Sequence, residues 1–243
     1  MRFEGLAFDV TERVPFAPLP FDSDDAARES FYFAWDMTFG RNGRHRDHRT
    51  GGSARRCNGE IFAHAFQGKL AEFAVCQELS RIGISVRPDL RRADLGVWDA
   101  GDLQVGELAV AVKSTKQQGN LLLLETADWS PEGTYIHHRG DGHLHSICLV
   151  RIDPSPEDLL RKRRILRSDS CPQRVLKWTV APLSQFRFQV LGAVERNDVM
   201  AAVREGQFIP RGATLNGRTK IDADNYYLQA CDFRPLRTVR WVP

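Results

Sequence analysis

Apolar and polar positions divide the chain into helix-like and strand-like stretches. Residues 60–83 carry the clearest helical period. Phe62, Phe66, Leu70, Phe73 and Ala74 recur at three- and four-residue spacing, and Gly83 suits the end of a helix. FYFAWDMTF (31–39) predicts a short aromatic helix packed on the body. Beyond Gly83 the apolar runs shorten. ISVRPDL (84–90) predicts a short strand running into a turn, ADLGVW (93–98) a strand, and DAGD (99–102) a tight turn. LQVGELAVAVKST (103–115) predicts a long strand broken near Gly106. The unbroken run LLLLE (121–125) marks a strand covered on both faces.

HLHSICLVRI (143–152) predicts another strand. DPSPEDLLRKRRILR (153–167) opens like a helix, with Pro156 near its first position and acids in its first turn. Residues 175–195 alternate as strands do, and NDVMAAVREG (197–206) predicts a short helix stopped by a glycine. Residues 1–30, with Pro15, Pro18 and Pro20, predict an irregular arm or short edge strand. Residues 40–59 are rich in Gly and Arg without any period, which predicts a loop. The order helix, strands, helix, strands predicts a mixed α/β sheet.

At 243 residues the chain is long enough for one elaborated domain, taking ~150 residues per domain. We divide it into an N-terminal arm and basic loop (1–59), a core (60–155) and a C-terminal α+β extension packed on that core (156–243). No apolar run approaches ~18 residues, and the first fourteen residues carry acids where a signal peptide needs an apolar run. The expectation is a cytoplasmic protein with no membrane partner. The five cysteines are widely spaced without a CxxC, which argues against a disulfide framework or a zinc knuckle.

The net charge of +3 points to no partner, but its distribution is uneven. Residues 41–56 hold six arginines and one acid, and RKRRILR (161–167) holds five basic residues and no acid. Clustered arginine suits phosphate contacts, and it equally suits a solvated loop.

Three polar residues interrupt the core-forming pattern. Glu72 lies on the 60–83 helix beside a strip of Gly68, Val75, Cys76 and Leu79; a carboxylate buried there needs a cation or donor. Asp94 opens the apolar stretch ADLGVW. Lys113 ends the apolar strand LAVAV, sharing a face with Ala109 and Ala111. Two carboxylates and a lysine converging on one point make a hard-cation site beside a proton-handling amine. The bland alternatives are a Glu72–Lys69 pair, a turn-capping Asp94 and a Lys113 stem lying along the strand end.

The stretches GKLAEFAVCQELSRIGISV (68–86), ADLGVW (93–98) and LAVAVKST (108–115) together resemble the PD-(D/E)XK nuclease superfamily. The resemblance covers roughly a third of the chain. It implies a restriction-endonuclease-like α/β fold: a mixed β-sheet core flanked by helices, here with an accessory C-terminal α+β region. In that family a helix carries a glutamate, and a hairpin carries a metal-binding aspartate and the (D/E)-x-K tripeptide. Carried over, Glu72 is the helix glutamate, Asp94 the metal aspartate and Lys113 the catalytic lysine. The tripeptide here reads Ala111-Val112-Lys113, so its acid is missing. Glu72 is the favoured replacement, ahead of Glu125 and Glu107, and Asp89 ranks second to Asp94 as metal aspartate.

The activity implied is Mg²⁺-dependent hydrolysis of DNA phosphodiesters, with Mn²⁺ able to substitute, in a restriction or anti-phage role. Asp94, Glu72 and the Val112 carbonyl would hold the metal. Arg41, Arg44, Arg46, Arg49, Lys116 and Gln117 would meet double-stranded DNA, and cutting both strands would favour a homodimer. The alternative is a lapsed nuclease, disabled at Ala111, serving as the DNA-binding subunit of a larger complex. The histidines at 137, 138, 143 and 145 read better as a hairpin than as a zinc site, and Trp129, Tyr135, Tyr226 and Tyr227 as packing residues.

Overall fold

A computed structural model describes residues 1–40, 56–91, 102–130, 132, 134–136 and 144–241. In chain order the elements are β1 (Arg2–Glu4), β2 (Ala7–Asp9), β3 (Leu19–Pro20), α1 (Asp25–Asp36), α2 (Asn58–Arg81), β4 (Leu103–Val105), β5 (Leu108–Lys116), β6 (Leu121–Glu125) and β7 (Leu144–Asp153). There follow α3 (Pro156–Lys162), α4 (Gln173–Val180), β8 (Arg187–Glu195), α5 (Arg196–Arg204), β9 (Phe208–Ile209), β10 (Thr214–Leu215), β11 (Thr219–Lys220) and β12 (Asn225–Gln229).

The expected mixed α/β architecture is present. A five-stranded sheet runs in the order β3-β8-β7-β5-β4. Only β5 and β7 are parallel within it; β4 pairs antiparallel to β5, and β8 to β7. A three-stranded sheet, β6-β12-β9, and a four-stranded one, β1-β2-β10-β11, complete the described strands. Residues 156–243 therefore contribute β8 to the central sheet, besides the strands and helices around it.

Helix α2 is the chief support of the central sheet. Phe62, Phe66, Leu70, Val75 and Leu79 are buried in one cluster with Val110 and Val112 of β5, Cys148 and Val150 of β7, and Phe188 of β8. Burying a side chain of this size contributes roughly 1.5–3 kcal/mol, so this face holds the helix in place. The helix starts against the connection between α3 and α4: the Asn58 amide donates to Asp169 Oδ1 and the Gly59 amide to the Ser168 carbonyl. A Cβ on Gly59 would meet the Ile165 carbonyl oxygen at 2.3 Å, so this approach needs glycine. Gly83, as expected, follows the helix end.

The opposite sheet face packs on a second cluster that includes Leu122, Leu124, Trp129, Ile147, Leu149 and Val194, with Ala111 against it. Along β5, Val110 and Val112 thus face α2 while Ala111 faces away, as strand alternation requires.

Three expectations are corrected. Residues 103–115 are a hairpin rather than one broken strand: Gly106, at φ 59°, turns the chain between β4 and β5. Residues 84–90 form no ladder strand; Ile84 and Val86 pack directly on the main cluster. Residues 175–180 are helical, because Leu176 and Val180 stand four residues apart and both face the core. The run at 153–167 is helical only to Lys162, and Arg164 adopts a positive φ of 59°. The predicted strand at 93–98 and the histidines at 137, 138 and 143 lie outside the described residues.

Candidate functional site

The site is built from α2, the loop that follows it, and the edge of the central sheet at β4–β5. Glu72 sits midway along α2 on the face turned to the sheet, and only 6% of its surface is exposed. Its Oε2 accepts a 2.6 Å hydrogen bond from Lys69 Nζ, one helical turn earlier. Lys69 Nζ also donates to the Asp89 carbonyl at 2.8 Å and lies 4.6 Å from the centre of the Phe33 ring. The ion pair anticipated as the bland reading is present, and it is buried.

That pair does not settle the charge on Glu72. Burial pushes its pKa up to about 8, against the pull of Lys69, and the negative charges of Asp102 and Asp89 push the same way. Buried close to Glu72, the Cys76 thiol is likewise pushed up to about 12, chiefly by desolvation. A neutral thiol there is a packing group, not a nucleophile.

Asp102 is the residue that sequence reasoning missed. The pattern DAGD places it in a turn, but it stands just before β4, and its Oδ2 accepts a 2.7 Å hydrogen bond from the Val112 amide. Where β4 begins, this carboxylate takes the place of a ladder partner for β5. Its side chain therefore lies at the edge of the sheet, where the two faces meet. In an extended strand one residue's N–H and C=O point the same way, so the Val112 carbonyl is directed to that edge as well. Asp102 is exposed to solvent. Its charge acts on both Glu72 and Cys148, which lie on the α2 side.

Lys113 is exposed and follows Val112 directly. Ser114 Oγ accepts from Gln67 Nε2 of α2 at 3.2 Å, so Val112 and Ser114 face the helix and Lys113 leaves the other face. The structure therefore brings Glu72 together with Lys69, Asp102 and Asp89, and it sets Lys113 across the strand from them. Asp89, the runner-up aspartate, is itself held by Arg91, whose side chain and amide keep its carboxyl below the usual range. Asp94 and the arginines at 41, 44, 46 and 49 lie outside the described residues. Lys116, expected on phosphate, reaches Asp158 at 3.0 Å and Glu157 at 3.2 Å in the first turn of α3, while Gln117 is exposed.

Glu72, Asp102 and the Val112 carbonyl are oxygen donors of the kind a hard cation takes, and the mutual repulsion of the two carboxylates is what such an ion would relieve. Among the described residues no group of three or more His, Cys, Asp and Glu gathers as a ligand set. Among the described residues no helix is long and apolar enough to cross a membrane.

Comparison of the chain with protein-family models, with curated proteins and with solved structures returned no match.

Proposed function

We propose that the protein is a metal-dependent DNA endonuclease of the restriction-endonuclease-like fold, with its centre at the β4–β5 edge. The observation that carries this reading is the Asp102 carboxylate on the Val112 amide, with a buried carboxylate at Glu72 on one side of β5 and Lys113 on the other. A helix carrying a glutamate, followed by a hairpin with an aspartate at its opening and a lysine on its second strand, is the order of parts the resemblance calls for. Asp102, at the opening of that hairpin, takes the aspartate role in this reading.

In this reading Asp102, Glu72 and the Val112 carbonyl would hold Mg²⁺. The ion would supply positive charge to the scissile phosphate and acidify the attacking water. A cation there would favour the charged form of Glu72, because it would offset both the burial and the repulsion from Asp102. Lys113, a flexible ammonium group at an exposed edge, orients the water and stabilises the charge that develops on phosphorus. Lys69 keeps the Glu72 carboxylate aligned from the opposite side. Double-stranded DNA is the substrate, and a pair of chains would be needed to cut both strands together.

The test is cleavage of supercoiled plasmid and phage genomic DNA in Mg²⁺, with an EDTA control. Wild type and Lys113→Ala run side by side. Cutting by wild type, lost in the variant and in EDTA, supports the reading. Equal cutting by the variant removes Lys113 from the mechanism.

The second reading is a nuclease fold that binds DNA without cutting it. Two observations favour it: Ala111 stands where the family has an acid, and Glu72 already has Lys69 as a partner. DNA binding without cleavage in either Mg²⁺ or Mn²⁺ would establish it.

A further inference from the structure

Away from this edge, α3, α4 and the turn between them form a surface the reading above does not use. Residues 161–177 carry seven lysines and arginines and one acid. All seven are exposed. The single acid, Asp169, is committed to the start of α2. Among the described residues, Arg161 is the one basic residue here with carboxylates against it, Glu157 and Asp158 of its own helix.

Trp178 stands in the midst of this charge with 62% of its surface exposed. The buried positions of α4 are Leu176, Thr179 and Val180, so Trp178 lies off the core-facing side. One face of the indole is covered by the Arg163 guanidinium, 4.1 Å from the ring centre. Next to it Lys177 Nζ donates to Tyr32 Oη at 2.6 Å and lies 4.9 Å from the centre of that ring. A large aromatic ring held outward by a cation, beside a second ring and unneutralised positive charge, matches an unpaired base with its phosphates. The base would offer a flat face to the indole, and its flanking phosphates would meet Arg163, Lys177, Arg174 and Lys162.

We propose that this surface binds a single-stranded segment of nucleic acid, with one base stacked on Trp178. Charge complementarity selects a polyanion, and the exposed ring selects one with unpaired bases. A single-stranded overhang or flap would present both. The inference stands apart from catalysis, because it needs neither the metal nor Lys113.

The experiment measures binding of labelled single-stranded and blunt duplex oligonucleotides by fluorescence anisotropy in EDTA, across a salt series. Trp178→Ala is expected to weaken single-strand binding about ten-fold with an unchanged salt slope, and to leave blunt duplex binding alone. Arg163→Ala combined with Arg174→Ala is expected to reduce the single-strand salt slope by about 1.4, near 0.7 for each lost phosphate contact. Circular dichroism should be unchanged for Trp178→Ala, because the side chain is outside the core. Equal single-strand affinity for wild type and Trp178→Ala would overturn the proposal. So would preference of the wild type for anionic lipid vesicles over oligonucleotides. Cleavage assays on the same variants keep the two proposals separate: Lys113→Ala should cut nothing yet bind single strands like wild type.

Discussion

Among the described residues Arg151 and Glu72 are the buried side chains of the charged types, and they are treated in opposite ways. Arg151, on β7, is 1% exposed, and its guanidinium is surrounded by neutral oxygens. Its nitrogens donate to the carbonyls of Gly119, Val14 and Pro15 and to the side chains of Gln189 and Asn120. Glu72 is nearly as buried but has one strong partner, Lys69, and two negative neighbours. The arginine is a finished joint: it ties the N-terminal arm to the middle of the sheet with directed hydrogen bonds. The glutamate is held with an electrostatic imbalance that folding has not removed. A buried charge built for structure is saturated by its surroundings. One left against like charges is where a cation would be welcome.

The comparison is most severely tested at the joint itself. Arg151→Met should destabilise the fold by about 3–5 kcal/mol, because several buried oxygens lose their donor at once. Urea unfolding would measure it, and a change below about 1 kcal/mol would mean that the arm is held by other contacts.

Next comes Asp102→Asn, which keeps an oxygen for the Val112 amide and discards the charge. Cleavage should fall about a hundred-fold while the unfolding midpoint barely moves. A variant that unfolds early but still cuts would make Asp102 a strand cap and nothing more.

The third test uses pH. Glu72 has a folded pKa of about 8 against 4.5 for the unconstrained group, so the unfolded chain gives up its proton first. Native stability should therefore fall as pH rises from about 4.5 towards 8, by roughly 1–3 kcal/mol from this residue. In Glu72→Gln that decline should flatten, and in Asp102→Asn it should shrink, since one source of repulsion is gone. Urea unfolding at pH 5 and pH 8.5 would give both slopes; identical slopes in all three proteins would refute the imbalance. Smallest of all, Trp178→Ala should change stability by less than about 0.5 kcal/mol, as expected of an exposed side chain.

How far the sequence announced this arrangement depends on the range over which each signal acts. Helix α2 was legible because Phe62, Phe66 and Leu70 repeat the helical period and all three are buried. Glu72 was legible as an inward carboxylate for the same reason. The hairpin was half legible: Gly106 was seen as a break, but only the pairing of Leu103 with Val110 makes that break a turn. Asp102 was hidden because its role depends on where β4 begins and on an amide ten residues away. Helix α4 is ambiguous in sequence because alternation in RVLKWTV satisfies a strand pattern, while Leu176 and Val180 also satisfy a helical one. Local periodicity cannot rank the two; the core against which they pack does.

The placement of β6 has a consequence for biosynthesis. This strand leaves the central sheet to pair with β12, matching Leu124 with Tyr226 and Leu121 with Gln229. A ribosome adding about 5–20 residues per second completes β6 roughly one hundred residues, or ~5–20 s, before its partner emerges. Throughout that interval a row of four leucines waits with an unpaired edge, the kind of strand that joins other nascent chains. The protein's yield in a cell should therefore respond to chaperone supply and to translation speed through the last third of the message, more than to the strength of its finished core.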